Sequence, residues 1–333
     1  MTRVRKLRLG LGAMAVASLI GVNILAYGHA WTMTHFVPGG VRTGGPESLT
    51  WLQKLSVVAM GVQIPKPRNE GTPLDRNMAF ETWTVPVEEG ITLEAWDIPN
   101  PKRRGFVVMF HGYADRKSSI LAEAKGFLDE GWEPVLVDLR GSGGSSGNTT
   151  SIGFHEGRDE RAAVRFVREK APNETLVLWG VSMGGAAALR AVGELGAKVD
   201  AMIVEAPFAT LRSAVVNRFT SLGVPSVGLV DLLIFWGGRQ LDFDGSRFNP
   251  VEYAKDVRAP TLVLLGDQDN RVLMPEGRAI FEALAGEKQF ETFPGLRHES
   301  LIRGNRSQWL RVVHGFLNRF PEKPSPVAVA RTQ

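Results

Sequence analysis

The 333-residue chain contains no cysteine. That excludes disulfides, a thiolate nucleophile and thiolate-held metals, and it leaves the redox compartment open. An excess of one charge is missing too. The net charge is +4, but Arg3, Arg5, Lys6 and Arg8 come before any acidic residue, and the remainder carries 35 basic and 35 acidic side chains. A neutral body gives no case for a nucleic-acid partner. The glycine-rich "DLRGSGGSSG" lacks the Gly-Lys-Ser/Thr ending of a phosphate loop. His29, His35 and His155 are scattered, with no HExxH or comparable cluster, so neither a hydrolytic metal nor a cofactor is expected. There is no internal repeat.

What is present begins with one long apolar run. "LGLGAMAVASLIGVNILAY", Leu9 to Tyr27, has no ionisable side chain before its terminal tyrosine. As a helix it spans about 28 Å, close to the thickness of a bilayer's hydrocarbon core. The four basic residues before it hold that end in the cytoplasm and put the body of the chain outside it. Residues 1–30 therefore read as an uncleaved membrane anchor, or as a secretory signal cleaved after the small residues of "YGHA". A helix lying against the soluble domain is the third reading.

Residues 31–78 read as a connector: "VPGGVRTGG" turns, and "SLTWLQKLSVVAMGVQI" has the spacing of a short helix. It either covers the domain or spaces it from a membrane. "AFETWTVPVEEGITLEAWDIP" predicts a hairpin around "EEG". The apolar runs "RGFVVMF", "EPVLVDL", "ETLVLWG", "VDAMIVEAP" and "APTLVLLG" suit strands covered on both faces, and helical stretches alternate with most of them. The rhythm breaks at residues 208–257, which carry apolar and aromatic groups at helical spacing. The fold class expected is α/β: a mostly parallel central sheet flanked by helices, interrupted by a helical cap, over residues 79–320. Residues 321–333 read as a disordered tail.

The chemistry-bearing residues follow predicted strand ends, where ligand crevices form in open α/β sheets. Gly180-Val181-Ser182-Met183-Gly184 lies between the strand "TLVLW" and the helical "GAAALRAV". That is the setting of a nucleophile elbow, whose glycines let strand and helix pack closely and whose serine sits at strained dihedrals. A serine hydroxyl needs a base, and the base needs an orienting acid. After Ser182 only His298 and His314 remain. His298 lies in the loop "FPGLRHES", whereas His314 falls in an amphipathic helix, so His298 is the candidate base. Asp269, Asp267 and Glu205 are the candidate acids, with Asp269 reaching furthest into its loop. The backbone N–H groups of Tyr113, in "FHGYAD", and of Met183 are placed to bind an oxyanion. The His111 side chain reads as a loop anchor, and Asp138 and Arg140 as turn residues. Glu156 and Asp159 read as loop braces or helix caps.

Together "HGYAD", "DLRGSGGSSG", "GVSMGG", "GDQDNRV" and "RHES" resemble the α/β-hydrolase superfamily, in the branch of monoacylglycerol lipases and serine aminopeptidase-like proteins. The resemblance runs from Phe106 through Phe320. It implies Ser182 as nucleophile, His298 as base and Asp269 as acid in a Gly-x-x-Asp-x-x-Val pattern, with Glu205 in reserve. Tyr113 and Met183 match the oxyanion positions. It further implies a serine hydrolase that cleaves a carboxylic ester through an acyl-enzyme, without a cofactor. Peptidase, thioesterase and a non-catalytic tethered binding protein are the alternatives. Phe219, Leu232, Leu233, Phe235 and Trp236 of the cap either suggest an apolar group in a small ester or short-peptide substrate or merely pack the cap onto the domain.

Overall fold

A computed structural model describes residues 3–45, 48–223 and 228–320. The tail expected at residues 321–333 lies outside the described residues. The helices are α1 (Arg3–Thr34), α2 (Trp51–Met60), α3 (Leu121–Asp129), α4 (Glu156–Lys170), α5 (Met183–Leu189), α6 (Leu211–Leu222), α7 (Leu229–Gln240), α8 (Pro250–Ala254), α9 (Met274–Ala283), α10 (Leu301–Gly304) and α11 (Arg306–Leu317). The strands are β1 (Glu81–Glu88), β2 (Ile91–Asp97), β3 (Phe106–Phe110), β4 (Glu133–Val137), β5 (Leu176–Val181), β6 (Ala201–Glu205), β7 (Thr261–Gly266) and β8 (Lys288–Phe293).

These strands form one sheet in the order β1-β2-β4-β3-β5-β6-β7-β8. The β1–β2 hairpin joins antiparallel at one edge, and β4 through β8 run parallel. Successive side chains of a strand alternate between faces. Phe106, Val108 and Phe110 accordingly enter one core, with Val135, Val137 and Leu178. Val107 and Met109 enter the other, with Leu136, Trp179 and Trp309. Helices cover both faces, which is why the apolar runs show no polar alternation.

The cap is inserted between β6 and β7 as α6, α7 and α8. α1 is longer than its apolar run, and only 6% of its most apolar stretch is buried within the protein. Its C-terminal end packs on α7. Ala26 and Ala30 are buried in one cluster with Val230, Leu233 and Ile234, and the small Gly237 lies 3.9 Å from Ala30 and Thr34 at the position of its missing Cβ. The Trp236 indole donates to Asn23 Oδ1 (3.2 Å), and the Gln240 amide donates to the Tyr27 carbonyl (2.9 Å).

Parts of residues 31–78 on either side of α2 pack on the domain. Phe36 and Ile64 are buried against Ala114. His35 forms a bridge with Thr149, and Val37 with Pro65. The Lys66 ammonium donates to the carbonyls of Ser145 and Gly147.

Candidate active site

Ser182 follows β5 and caps the N-terminus of α5, with φ 53° and ψ −113°. A non-glycine residue holds such an angle only where its surroundings over-determine it. Here they do. A Cβ on Gly184 would lie 2.7 Å from the Phe110 carbonyl oxygen, and one on Gly180 would lie 2.6 Å from the backbone of Gly184. The Ser182 N–H is tied to the Glu205 carbonyl (2.8 Å). Strand and helix are thus pressed together until the serine is forced outward.

His298 Nε2 lies 3.0 Å from Ser182 Oγ, and His298 Nδ1 lies 2.7 Å from Asp269 Oδ2. The second Asp269 oxygen accepts the N–H groups of Arg271 (2.8 Å) and Val272 (2.9 Å). The carboxylate is buried and aimed by its own loop. These backbone donors, invisible as a motif, are what separate Asp269 from its neighbour. Asp267 instead accepts the Gly295 N–H (2.7 Å) within the loop after β8.

The other candidates lie as follows. Glu205 is fully buried, and its Oε1 accepts the indole N–H of Trp179 (2.9 Å) and of Trp309 (2.7 Å), away from His298. Burial, then the neighbouring Glu123 carboxyl, push Glu205 up to about 8. His314, on α11, pairs with Glu130 at the end of α3. His111 is buried, and its Nε2 accepts the Leu139 N–H (3.1 Å). Arg140 grips Asp159 through Nε and Nη2, and Glu156 accepts from Thr150, Ser151 and Gly153. Both carboxylates brace the loop before α4. Among the described residues no three His, Asp or Glu side chains are grouped as metal ligands would be.

One cavity of about 400 Å³ reaches Ser182 and His298, and Gly112, Tyr113 and Met183 line it. Its apolar wall decides between the two roles open to the cap residues, substrate contact and packing of the cap. Phe208, Leu211, Ala214 and Val215 line it, whereas Phe219, Leu232, Leu233, Phe235 and Trp236 do not. Leu233 of α7 is buried in the cluster shared with α1 and α6, Phe219, Leu232 and Trp236 pack against that cluster, and Phe235 turns outward at 52% exposure. Sequence reasoning missed Met33, from the last turn of α1, and Arg42, from the segment after it, which both line the cavity wall. Neither belongs to a motif. It also missed Lys117, a fully buried lysine in the turn after β3 that binds Asp138 and Glu94.

The sheet order, the cap position and the strand-end site define the class: the chain has the α/β-hydrolase fold, and its matches are to serine hydrolases of the esterase, lipase and peptidase kind. Residues 101–233 match the family described as serine aminopeptidase, S33. The chain is 23% identical over 244 residues to the uncharacterised protein YqkD of Bacillus subtilis, covering 72% of this chain and 80% of that one. It is 24% identical over 243 residues to a monoacylglycerol lipase of Mycolicibacterium smegmatis, covering 63% of this chain and 86% of that one. Among solved structures, the Pyrococcus furiosus esterase Pf2001 superposes with a TM-score of 0.65 at 20% identity, over 78% of this chain and 97% of that one.

Proposed function

We propose that the chain is a membrane-anchored serine esterase that cleaves a carboxylic ester with a hydrophobic acyl or alkyl group. The observation that carries this is the continuous hydrogen-bonded line from Ser182 Oγ through His298 to Asp269. His298 Nε2 takes the serine proton as Oγ attacks the carbonyl. Asp269 holds the imidazole with Nε2 free to accept and stabilises the imidazolium that forms. The backbone N–H groups of Tyr113 and Met183, at the strand end and at the α5 N-terminus, bind the developing oxyanion. The imidazolium then protonates the leaving alkoxide, and water activated by His298 releases the acid from the acyl-enzyme.

The lining of the cavity favours an ester over an N-terminal amine. Its buried carboxyls, Glu123 and Glu205, are pushed up by burial, so Glu205 is mostly protonated at neutral pH, and Arg218 and Arg271 line the same space. A substrate ammonium finds the buried Glu205 held toward its neutral form, with Asp115 and Glu299 as further acidic residues of the lining.

The same reading treats α1 as an uncleaved anchor through residues 9–27, with the catalytic body outside the cytoplasm. Cleavage after Ala30 would strip α7 of Ala26 and Ala30 and leave the Trp236 indole without Asn23. Purified full-length protein is expected to react with a fluorophosphonate probe and to turn over long-chain p-nitrophenyl esters faster than aminoacyl anilides. Ser182→Ala is expected to lose both properties. A wild-type protein that neither labels nor turns over in a Ser182-dependent way overturns the proposal, and a preference for the anilides replaces esterase by peptidase.

A further inference from the structure

Helix α2 is the structure's anomaly. A helix of ten residues is marginal in water and normally persists by burying an apolar face. α2 is well closed, with Thr50 and Gln53 forming a reciprocal cap and Gly61 ending it, yet no side chain of it is buried. Trp51, Leu52, Leu55 and Val58 recur at the spacing of one helical face, and they are 68%, 62%, 54% and 43% exposed. The stripe that should face a core faces outward.

Its attachment says what covers it. Among its contacts, α2 is tied by its C-terminal end to α1: His29 Nε2 meets the Val58 carbonyl at 2.8 Å, and a Cβ on Gly61 would come 2.7 Å from Thr32 Oγ1. The apolar stretch of α1 runs from Arg8 to Thr34. About 20 of those residues are enough to cross a hydrocarbon core, so the turn around His29 and Thr32 lies where the helix leaves it. Trp31, 46% exposed, and Tyr27, 45% exposed, flank the same level, as aromatic side chains do at a membrane surface.

We propose that α2 is an interfacial helix whose Trp51–Leu52–Leu55–Val58 face lies in the surface of the lipid bilayer that α1 crosses. The occupant of the exposed stripe is lipid, continuous with the lipid around α1. This rests on the anchor reading of α1 and goes beyond it. Met33, which lines the catalytic cavity, is four residues past His29, about 6 Å along the helix. A helix laid flat at that level fixes the tilt of the catalytic body and holds the cavity against the membrane surface, where an apolar ester is concentrated.

The absence of cysteine makes the test direct, because single cysteines can carry a nitroxide with no background. Full-length Leu55→Cys, Ser56→Cys and Val16→Cys variants are labelled and reconstituted into phosphatidylcholine vesicles containing phosphatidylglycerol. Accessibility to oxygen, which partitions into lipid, is compared with accessibility to a water-soluble nickel chelate. The proposal expects a lipid signature at positions 55 and 16 and a water signature at position 56. Lipid at position 16 with water at position 55 overturns the role of α2 and leaves the anchor standing. Water at position 16 overturns the anchor reading, and this proposal with it. Position 55 shielded from both reagents overturns it in favour of a protein partner. As a second readout, Leu52→Glu/Leu55→Glu is expected to lower turnover of a vesicle-borne long-chain ester by about tenfold, the scale set by one lost leucine burial. Turnover of a water-soluble short-chain ester by the same variant is expected to be unchanged. Equal effects on both substrates also overturn the proposal.

Discussion

The Tyr113 phenol donates to the Met33 carbonyl at 2.5 Å, joining the loop after β3 to the last turn of α1. Burial pushes this phenol up to about 12, so it stays a donor throughout the physiological range. Tyr113→Phe leaves a carbonyl without its partner, a loss of about 1–3 kcal/mol. A lower melting temperature is expected, together with a several-fold fall in kcat on a soluble ester as the proposed oxyanion loop loosens. Unchanged melting and turnover would show that the tie is idle.

Asp269 and Glu205 are separated by a paired test. Asp269→Asn is expected to lower kcat by about 10⁴, the scale for an imidazole held in the wrong tautomer, with an unchanged circular dichroism spectrum. Glu205→Gln is expected to keep most of the activity, because the amide mimics the protonated acid already present. The opposite ranking transfers the acid's role to Glu205.

Glu205 also sets a pH dependence of stability. Its folded pKa, about 8, lies above the ordinary 4.5, so between those values the unfolded chain gives up a proton that the folded protein retains. Raising the pH through this window therefore lowers stability, and the loss levels off above about 8. Denaturant melts of Glu205→Gln at pH 5 and pH 8 are expected to differ less than those of the wild type. A parallel decline in both proteins would assign the dependence elsewhere.

Gly184→Ala tests the elbow's packing. The added methyl meets the carbonyl oxygens of Phe110 and His111 at 2.7 and 2.8 Å, backbone atoms that cannot move aside cheaply. A destabilisation of about 1–3 kcal/mol or more is expected, with turnover falling further than stability because Ser182 is displaced. Thermal melting and labelling by the fluorophosphonate probe read the two effects separately.

Lys117 and Asp138 form a fully buried pair. Burial pushes Asp138 up, but the Lys117 ammonium and its hydrogen bonds outweigh burial and hold the carboxyl below the usual range. The stability this contributes is present above the unfolded carboxylate pKa and is lost as pH falls through the folded one. Lys117→Met abandons a buried carboxylate and is expected to cost about 3–5 kcal/mol in urea melts. A near-neutral result would mean that water replaces the ammonium.

Sheet and elbow were legible because they rest on local rules. "FVVMF" and "TLVLLG" are buried on both faces and read so, and the glycines around Ser182 carry their reason in their spacing. The distance from His298 to Asp269 was legible only as chain order. What stayed hidden is contact between side chains and distant backbone. Nothing in "MTHFV" marks a carbonyl that meets a phenol 80 residues on. The helix α7 is apolar on more than one side, so its pattern cannot choose between substrate and α1. Lys117 defies the rule that keeps lysine at the surface, and only its two carboxylates explain it.

Because Met33 gives the cavity part of its wall, the proposed anchor runs into the cavity itself. On that reading, a protease acting in the last turns of α1 would open the cavity as it freed the body. With the proposed anchor and activity, shedding and inactivation would be one event, and a truncation meant to keep the cavity intact should begin upstream of Asn23, whose amide oxygen accepts from Trp236.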